Sequence, residues 1–364
     1  PNHARSYVVP YGAVGHVRKV ADHWRRKLGV DQNEEGDVEV AGLLTAFAYP
    51  DRIAQRREGQ TGRFRLRTGR AAKLPRPQLL SDADYLVAAH VDARRQENRI
   101  FLAAPISEDE IVDYFGDEIG TDRDVSWRAD VQRVQARRRE QLGALTLTEG
   151  PLESPDPTAV AKALAAGLRE EGLDLLPWTD HARQLQHRIQ FLHRHLGSDW
   201  PDVRDAALLN SLEDWLLPHL YGKKSAEDLQ QLNLPNILRE PLTYDQRDRL
   251  EDWAPTHVTV PSGYDRAIDY SDPDTPVLAV RLQEMFGQTE TPCIANGRVP
   301  LTLHLLSPAQ RPVQITQDLA HFWADTYYEV RKDMRGRYSK HYWPEDPLNA
   351  TPTHTTKARM EANS

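Results

Sequence analysis

The chain has 364 residues, 39% hydrophobic and 27% charged, with a formal net charge of −8. That length suits two or three domains of roughly 100–150 residues each, and no apolar run approaches the roughly 20 residues needed to cross a bilayer, so a membrane span is excluded. Residues 1–150 hold 24 Lys and Arg against 23 Asp and Glu, and residues 151–364 hold 22 against 31, so any contact with nucleic acid must be a local patch rather than a basic coat.

The opening PNHARSYVVP has no initiating Met, no continuous apolar stretch and no cleavage signal, and reads as the cut end of something longer. Val14, Val17, Ala21, Trp24 and Leu28 recur every three or four residues, a helical apolar stripe that stops at Gly29. Residues 1–35 are therefore expected to end an upstream helical bundle. After a second short helix in GLLTAFAYP (Gly42–Pro50), short alternating runs between Gly and Pro predict strands. These are GRFRLR (Gly62–Arg67), YLVAAHV (Tyr85–Val91), RIFLAA (Arg99–Ala104) and a hairpin over Asp124–Arg139, with one helix at Ser107–Phe115. Several short strands with one helix fit a small Greek-key barrel of OB type over residues 36–150, although periodicity does not fix the topology.

GPLESPDPT (Gly150–Thr158) reads as a linker whose Asp156-Pro157-Thr158 starts a helix. Helices are expected at 158–171, 180–196, 205–220, 225–232 and 244–253, an amphipathic bundle over residues 151–255. β-branched alternation resumes at THVTVPSG (Thr256–Gly263) and predicts a mixed α/β domain over 256–346, with terminal helices at 317–323 and 327–335. Cys293, the only cysteine, excludes an internal disulfide, suits a reducing cytoplasm, and is expected to be a buried small residue. Residues 347–364 are polar and unpatterned and are expected to be disordered. The fold class is thus α+β multidomain: an OB-like barrel, a helical bundle and a small C-terminal α/β domain.

Nucleotide chemistry needs a glycine-rich loop ending in Gly-Lys-Ser/Thr. The nearest wording, Tyr221-Gly222-Lys223-Lys224-Ser225, has Leu217 at the first glycine position and an extra lysine before the serine. His181, His187, His193 and His195 share one predicted helix, but steps of six residues turn ligands away from each other, so solvated histidines are expected. No catalytic residues and no metal or cofactor site are assigned to this chain. Asp269, His304 and His321 would matter only if a cleft brought them together.

Residues 52–76 carry nine basic side chains against Glu58 alone. In GRFRLR, Arg63, Arg65 and Arg67 project to one face while Phe64 and Leu66 face the other, a row of guanidinium groups able to pair with phosphates or simply to be solvated. With Arg56, Arg57, Arg70 and Lys73 these are the RNA-binding candidates. A second basic row includes Arg137 and Arg139 beside Trp127, whose ring is either a stacking surface or core. Arg331 and Arg335, one helical turn apart near the end, complete the set. Tyr338, Tyr342 and Trp343 either stack on bases or pin the tail to its own domain.

Ordered wording along the chain, AYPDRIAQRR (Ala48–Arg57), GALTL (Gly143–Leu147), LLPWT (Leu175–Thr179), LEDWL (Leu212–Leu216), APTHVTVPSG (Ala254–Gly263), PVLAVRLQEMFG (Pro276–Gly287), GRVPLTLHLLSPAQRPVQIT (Gly297–Thr316) and KHYWPEDP (Lys340–Pro347), closely resembles the C-terminal end of the HrpB-type DEAH-box ATP-dependent RNA helicases. The resemblance implies a parent with two RecA-like motor domains using ATP and magnesium, then a winged helix and a helical bundle, ahead of an OB-like domain and a family-specific extension. It also implies that residues 36–150 help line an RNA channel. Where the family pattern has Pro-Lys-His-Pro-Trp, this chain has Ser339-Lys340-His341-Tyr342-Trp343, which loosens an extended tail. The expected role is accessory, with single-stranded RNA and the parent's other domains as partners and no catalysis by this chain itself. The competing expectation is a protein-interaction module, favoured by the net charge of −9 over residues 151–364.

Overall fold

The β-rich stretch after Tyr49 closes on itself. The computed structural model, which describes residues 11–31, 36–92 and 97–361, places β1 (Ile53–Arg56), β2 (Arg63–Leu66), β3 (Ala71–Lys73), β4 (Tyr85–Asp92) and β5 (Asn98–Pro105) in a closed barrel of order β1-β2-β3-β5-β4. β3 and β5 run parallel and every other neighbouring pair is antiparallel. Phe64, Leu66, Ala72, Leu86, Ala88 and Ile100 fill the interior. β1 and β3, at four and three residues, are too short to show a period and escape the sequence reading.

Helix α1 (Tyr11–Leu28) precedes the barrel and leaves Val17, Val20, Trp24 and Leu28 exposed. α2 (Ala41–Ala48) and α3 (Glu108–Phe115) pack on the barrel's outside. α3 starts at a capping box, with Ser107 Oγ accepting from the Glu110 amide and the Glu110 carboxylate accepting from the Ser107 amide. A three-stranded sheet follows, β6 (Ile119–Arg128), β7 (Arg133–Leu142) and β8 (Leu145–Pro151), so the expected linker at 150 begins inside a strand.

Contacts divide the chain into two units: the described residues up to Arg123 with Arg137–Pro151, and Asp124–Ala136 with everything from Leu152 onward. The tip of the β6–β7 hairpin therefore belongs to the second unit. There Val134 donates its amide to the Lys224 carbonyl at 2.7 Å, Ala226 to Gln132 at 3.0 Å, and the Trp127 ring lies over Gly167, where a Cβ would meet it at 2.4 Å. Trp127 is a packing residue.

The helices of the second unit are α4 (Pro157–Glu171), α5 (Asp180–Leu196), α6 (Asp205–Asn210), α7 (Leu212–Trp215), α8 (Ala226–Leu229), α9 (Leu234–Arg239) and α10 (Tyr244–Trp253). Asp156 caps α4 and Thr179 caps α5. The single helix expected over 205–220 is broken at Ser211 and ends in a tight turn around Pro218. Next come β9 (His257–Thr259), β10 (Asp265–Asp269), β11 (Val277–Arg281), β12 (Cys293–Ile294), β13 (Val299–Pro300), β14 (Thr302–Leu306) and β15 (Pro312–Thr316). They form a sheet of order β15-β14-β11-β10-β9, with β12 and β13 as a separate pair. α11 (Leu319–His321) runs through a π-helical turn (Phe322–Thr326) into α12 (Tyr327–Arg337), one continuous rod where two helices were expected. One buried cluster extends from Val134 to Ala350, so the helical segments and the sheet share a core.

Two expectations are corrected here. Cys293 is exposed, because the β12–β13 pair is two residues long and faces it outward. Residues 347–361 follow a defined path: Thr353 donates its amide to Gln283, Lys357 to Lys340, His341 bridges to Thr356, and α13 (Lys357–Glu361) closes the segment. An extended strap held by single hydrogen bonds has no period for a sequence reading to find.

Arg188 is the most demanding residue of this core. Its side chain is 2% exposed. Its guanidinium donates to the Ala254 carbonyl at 2.5 Å, the Leu250 carbonyl at 3.1 Å and the Glu251 carboxylate at 2.8 Å, so a side chain from α5 satisfies the end of α10 just before the sheet begins. Arg188→Met nearly keeps the volume but strands the buried Ala254 carbonyl, whereas Leu250 still accepts from the Ala254 amide at 3.1 Å, and the change is expected to cost about 3 kcal/mol in urea unfolding. An unchanged midpoint would show that the guanidinium contributes nothing net.

Two glycines test the packing from opposite sides. A Cβ on Gly42 in α2 would sit 1.7 Å from the Pro105 carbonyl oxygen, whereas one on Gly336 in α12 meets nothing within 4 Å. Gly42→Ala should destabilise by about 3 kcal/mol and Gly336→Ala should stabilise by up to about 1 kcal/mol, both read from the same unfolding curves.

Candidate nucleic-acid interface

The barrel wall has two kinds of surface. On β1 and β4 adjacent residues are buried on both faces, Ile53 with Ala54 and Tyr85 through Ala88, because α2, α3 and the β7–β8 turn cover the outside with Leu43, Ile111, Phe115, Leu142 and Leu145. β2 instead alternates, with Phe64 and Leu66 inside and Arg63 and Arg65 outside. The outer face of β2, β3 and β5 thus remains open to solvent.

That face is cationic. Arg63 is the register partner of Lys73, and Lys73 of Arg99, which lines up three cations across three strands spaced about 4.8 Å apart. Glu97 lies among them, accepting from Lys73 Nζ at 2.6 Å with Arg63 at 3.8 Å. The Lys73 hydrogen bond, assisted by the nearby positive charges, holds the Glu97 carboxyl below its usual range. Arg65 lies two positions from Arg63 on the same strand face, opposite Ala71. Arg57, Arg65 and Arg70 are exposed and have no carboxylate partner among the described residues.

The other candidates are occupied to different degrees. Arg56 pairs with Asp84 at 2.6 Å. Arg67 is a structural node: its guanidinium pairs with Glu118 at 2.5 Å and its carbonyl accepts from Ala144 at 2.9 Å. The turn that makes this possible needs Gly143, at φ +61° with its Cβ position 2.6 Å from the Arg67 oxygen. Arg137 and Arg139 both pair with Glu149 across the β7–β8 ladder, at 2.6 and 3.4 Å. Arg67 therefore does not share the exposure of its neighbours in the row.

In the second unit, Arg331 holds the tail. It donates to the Trp343 carbonyl and to Glu345, each at 3.1 Å, while Arg335 one turn further on is exposed. Trp343 is buried and donates to the Tyr338 carbonyl at 3.0 Å, Gln283 donates to the Tyr342 carbonyl at 2.8 Å, and Tyr327 donates to Pro344 at 2.8 Å. The terminal aromatics are pinned to their own unit.

The segment that imitates a phosphate loop does not fit one. The Lys224 amide donates to the Asp228 carboxylate, the Lys223 amide to Leu220, and Ser225 caps α8, so the donors a phosphate would need are consumed within the turn itself and at the start of α8. The helix histidines are not all solvated, as expected, but act in packing. His193 contacts the Trp200 carbonyl at 2.7 Å and His195 the Pro273 carbonyl at 3.0 Å, while burial pushes the His187 pKa down. Asp269 accepts from the Ser271 amide in a local turn.

Arg99, His90, Phe101 and Leu102 also belong to the barrel surface and do not stand out by charge. The signal available was the unbroken apolar triplet Ile100-Phe101-Leu102, which a regular barrel strand with one solvated face would not carry.

Comparison with known proteins agrees with the resemblance in the sequence. Residues 215–347 match the HrpB C-terminal family, described as ATP-dependent helicase C-terminal. The chain is 43% identical over 326 residues to the ATP-dependent RNA helicase HrpB of Escherichia coli K12, an alignment covering 89% of this chain. The chain corresponds to an HrpB-type C-terminal region. It spans 40% of that relative's length. The crystal structure of the E. coli DExH-box NTPase HrpB aligns with a TM-score of 0.55 at 40% identity, covering 96% of this chain and 43% of that one. The segment from Lys340 to Pro347, where the match to the HrpB C-terminal family ends, is the one that Arg331 and Gln283 hold in place.

Arg331→Met is expected to loosen that segment without affecting the barrel. Limited trypsin digestion should then cut faster at Lys340 and Lys357, and an unchanged cleavage pattern would show that Trp343, Gln283 and Tyr327 hold the tail without Arg331.

Proposed function

We propose that this chain is the accessory C-terminal region of an ATP-dependent RNA helicase, with the barrel acting as an OB-like module that contacts single-stranded RNA. The observation that carries the reading is the solvent-open β2-β3-β5 face, where Arg63, Arg65, Lys73 and Arg99 sit on a barrel of order β1-β2-β3-β5-β4. OB barrels bind oligonucleotides through their strand 2–3 face. Phosphates pair well with guanidinium groups presented in this way. In this reading the second unit braces the assembly, and the RecA-like, winged-helix and helical-bundle domains of the parent are its neighbours in the cytoplasm. ATP and magnesium act in that motor, and this chain performs no catalysis of its own.

A second reading, a protein-interaction module without RNA contact, is favoured by the net charge of −9 over residues 151–364, which suits a basic partner.

Fluorescence anisotropy with labelled single-stranded RNA across a salt series separates the two. The double variant Arg63→Ala/Arg65→Ala should weaken binding and reduce the logarithmic salt slope by about 1.4, whereas Arg67→Ala, whose side chain is engaged with Glu118, should leave both unchanged. Equal losses in the two variants would refute the assignment of the face, and no binding at low salt would favour the interaction module.

A further inference from the structure

β4 and β5, the pair that completes the barrel beside the cationic face, do not pair regularly. Their register runs Ala88 with Ala103, His90 with Leu102, and Val91 with Ile100, so Ala89 is an extra residue on β4 and Phe101 an extra residue on β5. Such bulges re-aim side chains that strict alternation would send to the other face. Here Ile100 stays inside at 1% exposure, while Phe101 and Leu102 both emerge, at 55% and 62%. Across from Leu102, the exposed His90 ring lies 5.4 Å from the Phe101 ring, with the planes tilted by 42°. The bulged Ala89 is itself secured, since its carbonyl accepts from Arg52 Nη1 at 2.9 Å, and that guanidinium lies over the Tyr49 ring at 4.4 Å.

Phe101 follows Arg99 by two positions, which puts both on the outer face of β5, in line with Lys73 on β3 and Arg63 on β2. Glu97 offsets one of these three cations and leaves the row positive. An apolar aromatic surface turned outward by a bulge and continuous with a cation row matches a ligand that has both flat π faces and a polyanionic backbone. Stacking is tolerant of base identity and adds to the phosphate contacts.

Resting on the reading of the barrel as a nucleic-acid contact, we infer that His90, Phe101 and Leu102 form a base-stacking platform for single-stranded nucleic acid, whose backbone passes over Arg99, Lys73 and Arg63. Phe101 is the central surface, His90 supports its ring from the neighbouring strand, and Leu102 extends the apolar area.

The test compares the full chain with Phe101→Ala and Phe101→Trp, by anisotropy, on labelled single-stranded oligoadenylate, on oligodeoxyadenylate, and on an abasic oligodeoxynucleotide of the same length. Phe101→Ala should weaken binding to both base-bearing oligonucleotides by about tenfold without changing the salt slope, Phe101→Trp should restore it, and neither change should alter binding to the abasic strand. If the full chain binds but Phe101→Ala binds oligoadenylate equally well, the platform is refuted while the cationic face stands. A loss as large on the abasic strand would assign Phe101 to the fold instead. If no form of the chain binds any of the oligonucleotides, the underlying reading fails and the platform with it.

Discussion

The one-sided covering of the barrel governs what the first unit can do. A five-stranded barrel has a single interior, and Phe64, Leu66 and Ile100 already fill it. Any further helix must therefore pack outside, and α2 and α3 both do so over β1 and β4, where Ile53, Tyr85 and Val87 turn outward to meet them. The cost is that β1 at Ile53 and Ala54 and β4 from Tyr85 to Ala88 lose their solvent face, while His90 further along β4 stays exposed. The gain is that β2, β3 and β5 keep theirs, and the cations stand on that open stretch of wall. Arg67 marks the border between these regions, being tied to Glu118 and to the turn at Gly143.

The second unit depends on a different kind of constraint. Its helical part and its sheet share one core, and the passage between them at Ala254 is where a helix end would leave carbonyls unpaired in a dry interior. Arg188 resolves this with three hydrogen bonds from one side chain. A related pairing joins the sheet to the turn after β11, where the half-buried Arg266 of β10 makes two bonds to the fully buried Glu284. Such groups set geometry closely because a half-made arrangement costs more than an apolar one.

Much of this was legible in the residues, for reasons that differ by element. α4 and α5 announce themselves by Asp156 and Thr179 caps and by 15 and 17 residues of helical period. Phe64 and Leu66 alternate with arginines because only one side of β2 is buried. β1, β3 and α9 were not legible, since three to six residues carry too little pattern. The candidate arginines stand out by charge, but charge does not report pairing, so Arg56, Arg67, Arg137 and Arg331 group with Arg65, which has no carboxylate partner among the described residues. Phe101 and Leu102 read as two more apolar strand residues, because the bulge that turns Leu102 outward beside Phe101 changes the face of a side chain without changing the composition around it.

The hairpin tip gives the second unit a discontinuous sequence. Asp124–Ala136 is synthesised and released before α4, yet Trp127 waits for Gly167 and Val134 for Lys224, so these strands spend the early life of the chain with their apolar residues uncovered. Dissection meets the same difficulty. A piece ending at residue 150 would retain the tip without its partners, and a piece starting at 151 would present a vacant seat along α4 and the Lys224 turn. Separating the two units cleanly therefore calls for shortening the β6–β7 hairpin rather than cutting the chain after it.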